Sequence, residues 1–298
     1  VADTLVIEAT NLWKRYGEVE ALRGLDLRIP AGCICGFLGR NGAGKTTAIK
    51  VLLGMTRPTS GTARVFGHAA DEADASLAIR CRTGFVSDDK ELYGYMTVSE
   101  IIRFTAAFYP GWRRDLERGY LQRFALPAGR KVKTLSRGTR SKLALLLALC
   151  RSADLLVLDE PTSGLDPAMS DEVLQTLVGA AAEGATVFFS SHHIAEVEQV
   201  ADRVAVIDKG RLVIGGAVDD LKERFCRVQF LVDRDAPEPA FRTPGVVRVR
   251  RDGRVLSVLS NAGTGPIADE GRALGLSCVD VVPVTLKEIF LETVDAED

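Results

Sequence analysis

Apolar and polar positions along the chain follow two periods that alternate. Short runs with strand character stand at Leu5–Ala9, around Leu25–Ile29 and at Cys33–Leu38, with Pro30-Ala31-Gly32 turning the chain between the last two. The first two read as a small antiparallel sheet that leads into the third. A helical pattern then runs from Lys45 to about Leu53 and stops at Gly54, after which Ser60-Gly61 turns into a strand over Thr62–Phe66. Between Gly84 and Arg151 helical periods take over. Thr97-Val98-Ser99-Glu100 fits a capping box that opens a helix through Phe108, ended by Pro110-Gly111. A second covers about 113–124, and a third opens near Arg137 and contains Leu143–Leu149, apolar on every side and so expected to be buried.

Strand character returns at Leu155–Leu158, a fully apolar run of the kind buried on both faces of a parallel sheet. Asp166-Pro167 supplies an N-cap and a first-turn proline for a helix ending near Gly184. Thr186–Phe189, Arg203–Asp208 and Leu212–Ile214 follow as strands, with a turn at Lys209-Gly210 and a short helix to about Arg224. From Phe225 the pattern is that of a separate unit. It has a strand at Arg227–Val232, a proline-spaced link, a hairpin turning at Asp252-Gly253, a helix near Pro266–Leu274, a strand about Ser277–Val282, and a final helix capped by Thr285-Leu286-Lys287-Glu288. The expected architecture is α/β: a core over residues 1–224 with an N-terminal antiparallel β subdomain and a helical subdomain at about 84–151, then a small accessory C-terminal α/β domain over 225–298.

Composition narrows the partners. With 298 residues the chain can bury a core in each of two units, and a formal net charge of −2 gives no basic field of the kind that gathers nucleic acid. No nucleic acid is expected as partner. The longest apolar run, Leu143–Cys150, is far shorter than the ~20 residues that cross a bilayer. The start, Val1-Ala2-Asp3-Thr4, lacks the basic and apolar regions of a signal peptide, so a cytosolic chain is expected. Six cysteines form no C-x-x-C pair and read as buried reduced thiols, Cys33 and Cys35 sharing one strand face. His68 lacks neighbours at metal-ligand spacing and is expected to be a surface or packing histidine.

The chemistry concentrates after apolar strands. Gly39-Arg40-Asn41-Gly42-Ala43-Gly44-Lys45-Thr46-Thr47 follows Cys33–Leu38, opens a helix, and fits the phosphate-binding P-loop pattern. Glycines let successive backbone N–H groups curl around a phosphate while the helix start offers its positive dipole end. In such a loop Lys45 reaches the terminal phosphates and the Thr46 hydroxyl ligates Mg²⁺. Leu155–Leu158 ends in Asp159-Glu160, at the carboxyl edge where open α/β sheets bind ligands. Asp159 would hold the Mg²⁺ shell, and Glu160 is placed to polarise an attacking water. Tyr16 is either an ordinary packed tyrosine or a platform on which a base stacks.

Together these residues resemble the ATP-binding-cassette (ABC) ATPases, over about residues 5 to 224. The family signature, usually written LSGGQ, corresponds to Leu135-Ser136-Arg137-Gly138-Thr139, the D-loop to Ser163-Gly164-Leu165-Asp166, and the switch histidine to His192. The resemblance implies a head-to-tail dimer of two cassettes with two ATP molecules between them, each touching the P-loop of one copy and Ser136 and Gly138 of the other. It places Tyr16 against adenine, which tips that residue toward the stacking role. Gly84-Phe85-Val86-Ser87-Asp88 aligns with the Q-loop, so Asp88 stands where a glutamine contacts Mg²⁺ or water, with metal contact direct, water-mediated or absent. Arg137 and Thr139 replace the usual glycine and glutamine, and Arg137 either adds an anion contact or faces solvent. His193 reads as a helix-start residue. Within the family the chain is similar to cassettes of bacterial ABC-2-type exporters, which implies a membrane permease on a separate chain and a peripheral position on the cytoplasmic face of the membrane. A soluble, non-transport cassette with a regulatory role is the alternative. A binding module without hydrolysis would need Glu160 or His192 to be altered, and both are intact.

Overall fold

A computed structural model describes residues 4–233 and 239–294. Its elements run β1 (Leu5–Tyr16), β2 (Val19–Pro30), β3 (Ile34–Leu38), α1 (Lys45–Leu52), β4 (Ser60–Val65), β5 (His68–Ala69), α2 (Ala73–Arg82), β6 (Thr83–Val86), α3 (Val98–Ala106) and α4 (Arg114–Arg123). A 3₁₀ turn at Val132–Thr134 leads to α5 (Arg137–Leu149), β7 (Leu155–Leu158), α6 (Pro167–Ala182), β8 (Thr186–Ser191), α7 (Ile194–Val200), β9 (Arg203–Asp208) and β10 (Arg211–Ala217). Then come α8 (Val218–Arg224), β11 (Cys226–Leu231), β12 (Val246–Asp252), β13 (Val255–Ser260), α9 (Thr264–Ala273), β14 (Ser277–Pro283) and α10 (Leu286–Val294). The chain divides into two compact units between Gly215 and Gly216. This lies ahead of the boundary expected at 224, so α8 groups with the second unit. The proline-spaced link falls in part on 234–238, outside the described residues.

In the first unit an antiparallel sheet of order β2-β1-β4-β5 packs on a second sheet of order β10-β9-β3-β8-β7-β6. Strands β9, β3, β8, β7 and β6 are parallel, and β3, β7 and β8 are buried along their whole length, as a sheet covered on both faces requires. One core joins the sheets: Ile7, Leu12, Leu22 and Leu25 meet Phe37, Ile49, Leu52 and Phe188. Strand β1 runs well past the expected Ala9. Pairing shifts from Ala9↔Leu27 to Leu12↔Leu25, and Asn11 stands at φ 45. A bulge adds residues without adding pairs and so breaks the period-two pattern that marks a strand.

Two features depart from the expected order. Thr83–Val86 is a strand, pairing in register with Leu155–Leu158, so the helical subdomain begins after β6 and not at residue 84. The run Ala73–Arg82, without an apolar stripe, is nonetheless helical, burying Ser76 and Ile79. The helix opened by Thr97 ends at Ala106, short of Phe108. His68 lies in β5 and is exposed. Cys33, Cys35, Cys150 and Cys226 are buried as expected, but Cys81 and Cys278 are exposed. Among the described residues no helix is long and apolar enough to cross a membrane.

The second unit has an antiparallel sheet of order β12-β13-β11-β14. On one face Val228, Phe230, Leu256 and Val258 form a core with Ile267 of α9. Gly271 belongs there because a Cβ would overlap the Phe230 ring. The alternate residues Arg227 and Arg248 reach α10, where Arg227 donates to Glu288 at 2.5 Å and Arg248 pairs with Glu292 at 3.1 Å. Thr285 and Glu288 form the expected reciprocal cap, the Glu288 N–H donating to Thr285 Oγ1 at 3.2 Å.

Candidate nucleotide site

Sheet order decides which loops meet. Strand β8 lies between β3 and β7, with β6 beside β7, and Leu38 pairs with Ser191 while Phe189, Leu158 and Val86 stand in one row. The P-loop, Asp159-Glu160, His192 and Asp88 therefore leave the same carboxyl edge of one sheet.

The P-loop has the glycines its backbone demands. Gly44 stands at φ 108, and a Cβ there would come within 2.5 Å of the Ala21 carbonyl of β2. A Cβ at Gly39 would come equally close, at 2.5 Å, to the Ile207 carbonyl of β9. Helix α1 begins at Lys45, so the N–H groups of its first turn have no partner within the helix and face the loop. Ala43 is buried, whereas Asn41, Gly42 and Thr46 are exposed and Thr47 is half-buried. Lys45 is buried and folds back: Nζ donates to Gly39 O at 2.7 Å and Arg40 O at 3.3 Å.

Lys45 also lies 3.0 Å from Glu160 Oε1. Among the described residues no donor is directed at that oxygen with hydrogen-bond geometry, so charge holds it. The other oxygen, Oε2, is 2.7 Å from His192 Nδ1. Glu160 has a left-handed backbone, φ 48, which costs a non-glycine residue on the order of 1–3 kcal/mol. Its N–H donates to Ser190 Oγ at 3.0 Å, and that hydroxyl donates to Asp159 Oδ1 at 2.6 Å. Ser190 thus ties the two neighbouring carboxylate residues to β8. Glu196 of α7 accepts from Thr162 and Ser191, each at 2.8 Å, and fixes the chain on either side. Lys90, buried in the Asp88 loop, donates to Asp88 O at 3.2 Å and Glu160 O at 3.3 Å. Burial holds its ammonium below the ordinary lysine range, against the pull of Asp88. Ser190 stood in the sequence as part of a polar strand end, without an assigned partner; nothing in the sequence pointed to Lys90.

The remaining positions serve local structure within this chain. Ser136 caps α5, its Oγ accepting from the Thr139 N–H at 3.2 Å. A Cβ on Gly138 would overlap the Met169 sulfur. Asp166 caps α6 through the Met169 N–H at 3.0 Å. Arg137 is exposed, and its guanidinium lies against Gly164 and donates to Ser163 Oγ at 3.1 Å, joining signature to D-loop in one copy. The Asp88 side chain is exposed and, with Asp89, Lys90, Arg137 and Arg140, lines a cavity of about 420 Å³. Tyr16 is half exposed, ends β1, and has Lys14 Nζ 4.9 Å from its ring centre. His193 is the N-cap of α7, as its sequence position indicates.

A P-loop at one strand end, paired carboxylates at another and a histidine on the strand between them define a P-loop nucleoside triphosphatase. The profile of the family described as ABC transporter matches residues 22–163. The chain is 39% identical over 230 residues to the daunorubicin resistance ATP-binding protein DrrA3 of Streptomyces coeruleorubidus, covering 74% of this chain and 71% of that one. It is 36% identical to the bacitracin transport ATP-binding protein BcrA of Enterococcus faecalis, with 74% and 71% covered. A solved ATP-binding subunit of an ABC transporter superposes with a TM-score of 0.67 at 26% identity, over 73% of this chain and 92% of that one. A bacterial ABC transporter cassette solved as a dimer gives 0.65 at 25% identity, over 71% and 98%. The chain belongs to the ATP-binding proteins of the ABC transporter family, and its enzymatic activity is ATP hydrolysis coupled to transport.

Proposed function

We propose that this chain is the ATP-hydrolysing subunit of an exporter whose membrane permease is a separate chain. The observation that carries the reading is the cluster formed where β3, β7 and β8 end together, the buried Lys45 and Glu160 with the more exposed His192 against the Glu160 carboxylate. Names of relatives support export of a drug-like or peptide compound, since they refer to daunorubicin resistance, bacitracin transport and Nod factor export.

In this reading the triphosphate lies along the P-loop, held by first-turn N–H groups of α1 and by Lys45, with Tyr16 against the base. Glu160 accepts the proton of the attacking water, and His192 orients the carboxylate through Oε2. Thr46 and Asp159 offer hard oxygen donors of the type Mg²⁺ prefers, and Ser190 already holds one Asp159 oxygen in place. Bound there, Mg²⁺ neutralises charge on the phosphates. Asp88, exposed at the rim, is a further oxygen donor for that ion or its water shell. Ser136 and Gly138, at the start of α5, meet the ATP held by a second copy, so two ATP close a head-to-tail dimer. Asp166 of the D-loop joins that interface.

The permease docks beside the Asp88 loop. Tyr93, Tyr95, Phe104 and Phe108 are 41–67% exposed and touch in sequence, with ring centres 5.1–5.8 Å apart. Exposed aromatic rings in mutual contact suit an interaction surface. Tyr93 and Phe104 also line a cavity of about 890 Å³ with Asp89, Glu91 and Arg140. The chain is then a peripheral subunit on the cytoplasmic face of the membrane.

Glu160→Gln is the test. Turnover falls at least ~100-fold, the scale of a lost general base, while ATP still binds and a dimer persists on gel filtration with ATP. Hydrolysis at the unaltered rate removes Glu160 from the role of base.

A further inference from the structure

The Asp88 loop contains a lysine that the chemistry above leaves unused. Lys90 is 4% exposed, and its own backbone stands at φ 46, a strained conformation for a residue with a side chain. Among the described residues no carboxylate lies within ion-pair distance of its ammonium. Nζ instead donates to two backbone carbonyls, Asp88 O at 3.2 Å and Glu160 O at 3.3 Å. Burying a charge is costly, and a lysine kept for packing alone is replaceable by methionine at no such cost.

What the ammonium holds is the backbone of Glu160. That residue is also left-handed, at φ 48. Its N–H is fixed by Ser190 Oγ at 3.0 Å, and its carbonyl takes a second bond from the Ser163 N–H at 3.2 Å. Ser163 is in turn held by Arg137 at 3.1 Å. The direction of the Glu160 carboxylate follows from this backbone, because the side chain leaves a Cα whose two peptide planes are both clamped. The charges around Lys90 are Asp88, Arg137, Asp159 and Glu160, so its own loop, the start of α5 and the end of β7 face it together.

We propose that Lys90 is a positioning residue for ATP hydrolysis: by clamping the Glu160 carbonyl it sets the direction of the base, and it ties that direction to the position of the Asp88 loop. The proposal rests on the reading of Glu160 as general base and adds a residue that acts through it.

A double-mutant cycle tests it, with Lys90→Met, Glu160→Gln and the pair, read by single-turnover hydrolysis and by binding of a fluorescent ATP analogue. Lys90→Met lowers the hydrolysis rate at least tenfold with nucleotide affinity within threefold of wild type. In the Glu160→Gln background the same change has no further effect, and Lys90→Arg, which keeps charged donors, recovers part of the rate. A Lys90→Met protein that hydrolyses within threefold of wild type overturns the proposal. So does an equal loss in both backgrounds, or a loss of affinity matching the loss of rate. Should Lys90→Met fail to fold, the cycle is read with Lys90→Gln, and failure of both to fold makes Lys90 a structural residue and overturns the assignment. If Glu160→Gln itself hydrolyses normally, the base reading fails, an outcome separate from any result on Lys90.

Discussion

Lys45 carries three contacts, two to carbonyls of its own loop and one to a carboxylate that, among the described residues, is otherwise met by His192. Both partners of the Lys45–Glu160 pair are at least nine-tenths buried, so screening by water is slight and loss of one partner strands the other. Lys45→Ala is expected to destabilise the protein by up to about 3–5 kcal/mol in urea denaturation without nucleotide, as well as weakening ATP binding. Adding Glu160→Gln restores part of that stability, because it removes the stranded charge. Equal denaturation midpoints for Lys45→Ala and wild type show instead that the pair contributes nothing. At this scale the sequence was most legible where chemistry is contiguous. The P-loop glycines, Lys45 and the Asp159-Glu160 step are all short-range patterns. Ser190, Glu196 and Lys90 were not legible, since each acts on a residue 30 or more positions away, or through a backbone carbonyl that no motif records.

Elements with a cap or a period were read correctly, and those without were missed. Thr97 accepts from the Glu100 N–H at 3.3 Å while Glu100 accepts from the Thr97 N–H at 2.7 Å, the reciprocal pair its spacing announces. Thr97→Ala should cost about 1 kcal/mol in thermal or urea unfolding. The Thr97 N–H and hydroxyl hold the Glu100 carboxyl below its ordinary range. A lowered folded-state value stabilises above the unfolded-state pKa and is lost as pH falls through the folded one. The deficit of Thr97→Ala is therefore largest near neutrality and shrinks on acidification below the ordinary glutamate range; a deficit that is constant with pH contradicts the capping account. Helix α2 lacked an apolar stripe to read, and β6, four residues long and containing a glycine, fell at the start of the stretch read as helical. In β1 the bulge between Ala9 and Leu12 ended the alternation before the strand ended.

Across the whole molecule, order along the chain concealed adjacency in space. Residues 39–47, 88–90, 159–160 and 190–192 are spread over more than half of the first unit, yet strand order β3-β8-β7-β6 brings their loops to one edge. The fold class was legible because apolar strands alternate with helices; the strand order was not, since no local signal states which parallel neighbours pair. The two compact units divide at Gly215 and Gly216, ahead of a short helix whose own pattern gives no sign of which core it joins.

The strands that carry the site are not held alike. Among the described residues, strands β3, β8 and β7 each have a neighbour on both sides, while β6 is the last strand of its sheet and pairs with β7 alone. Half of its amide protons have no ladder partner. Deuterium should enter Thr83–Val86 well before Leu155–Leu158 or Thr186–Ser191 in hydrogen-exchange mass spectrometry, and equal protection of the three segments rules this out. The loop with Asp88 and Lys90 hangs from that strand, so the part of the site beside the proposed docking surface is also the part expected to open most easily.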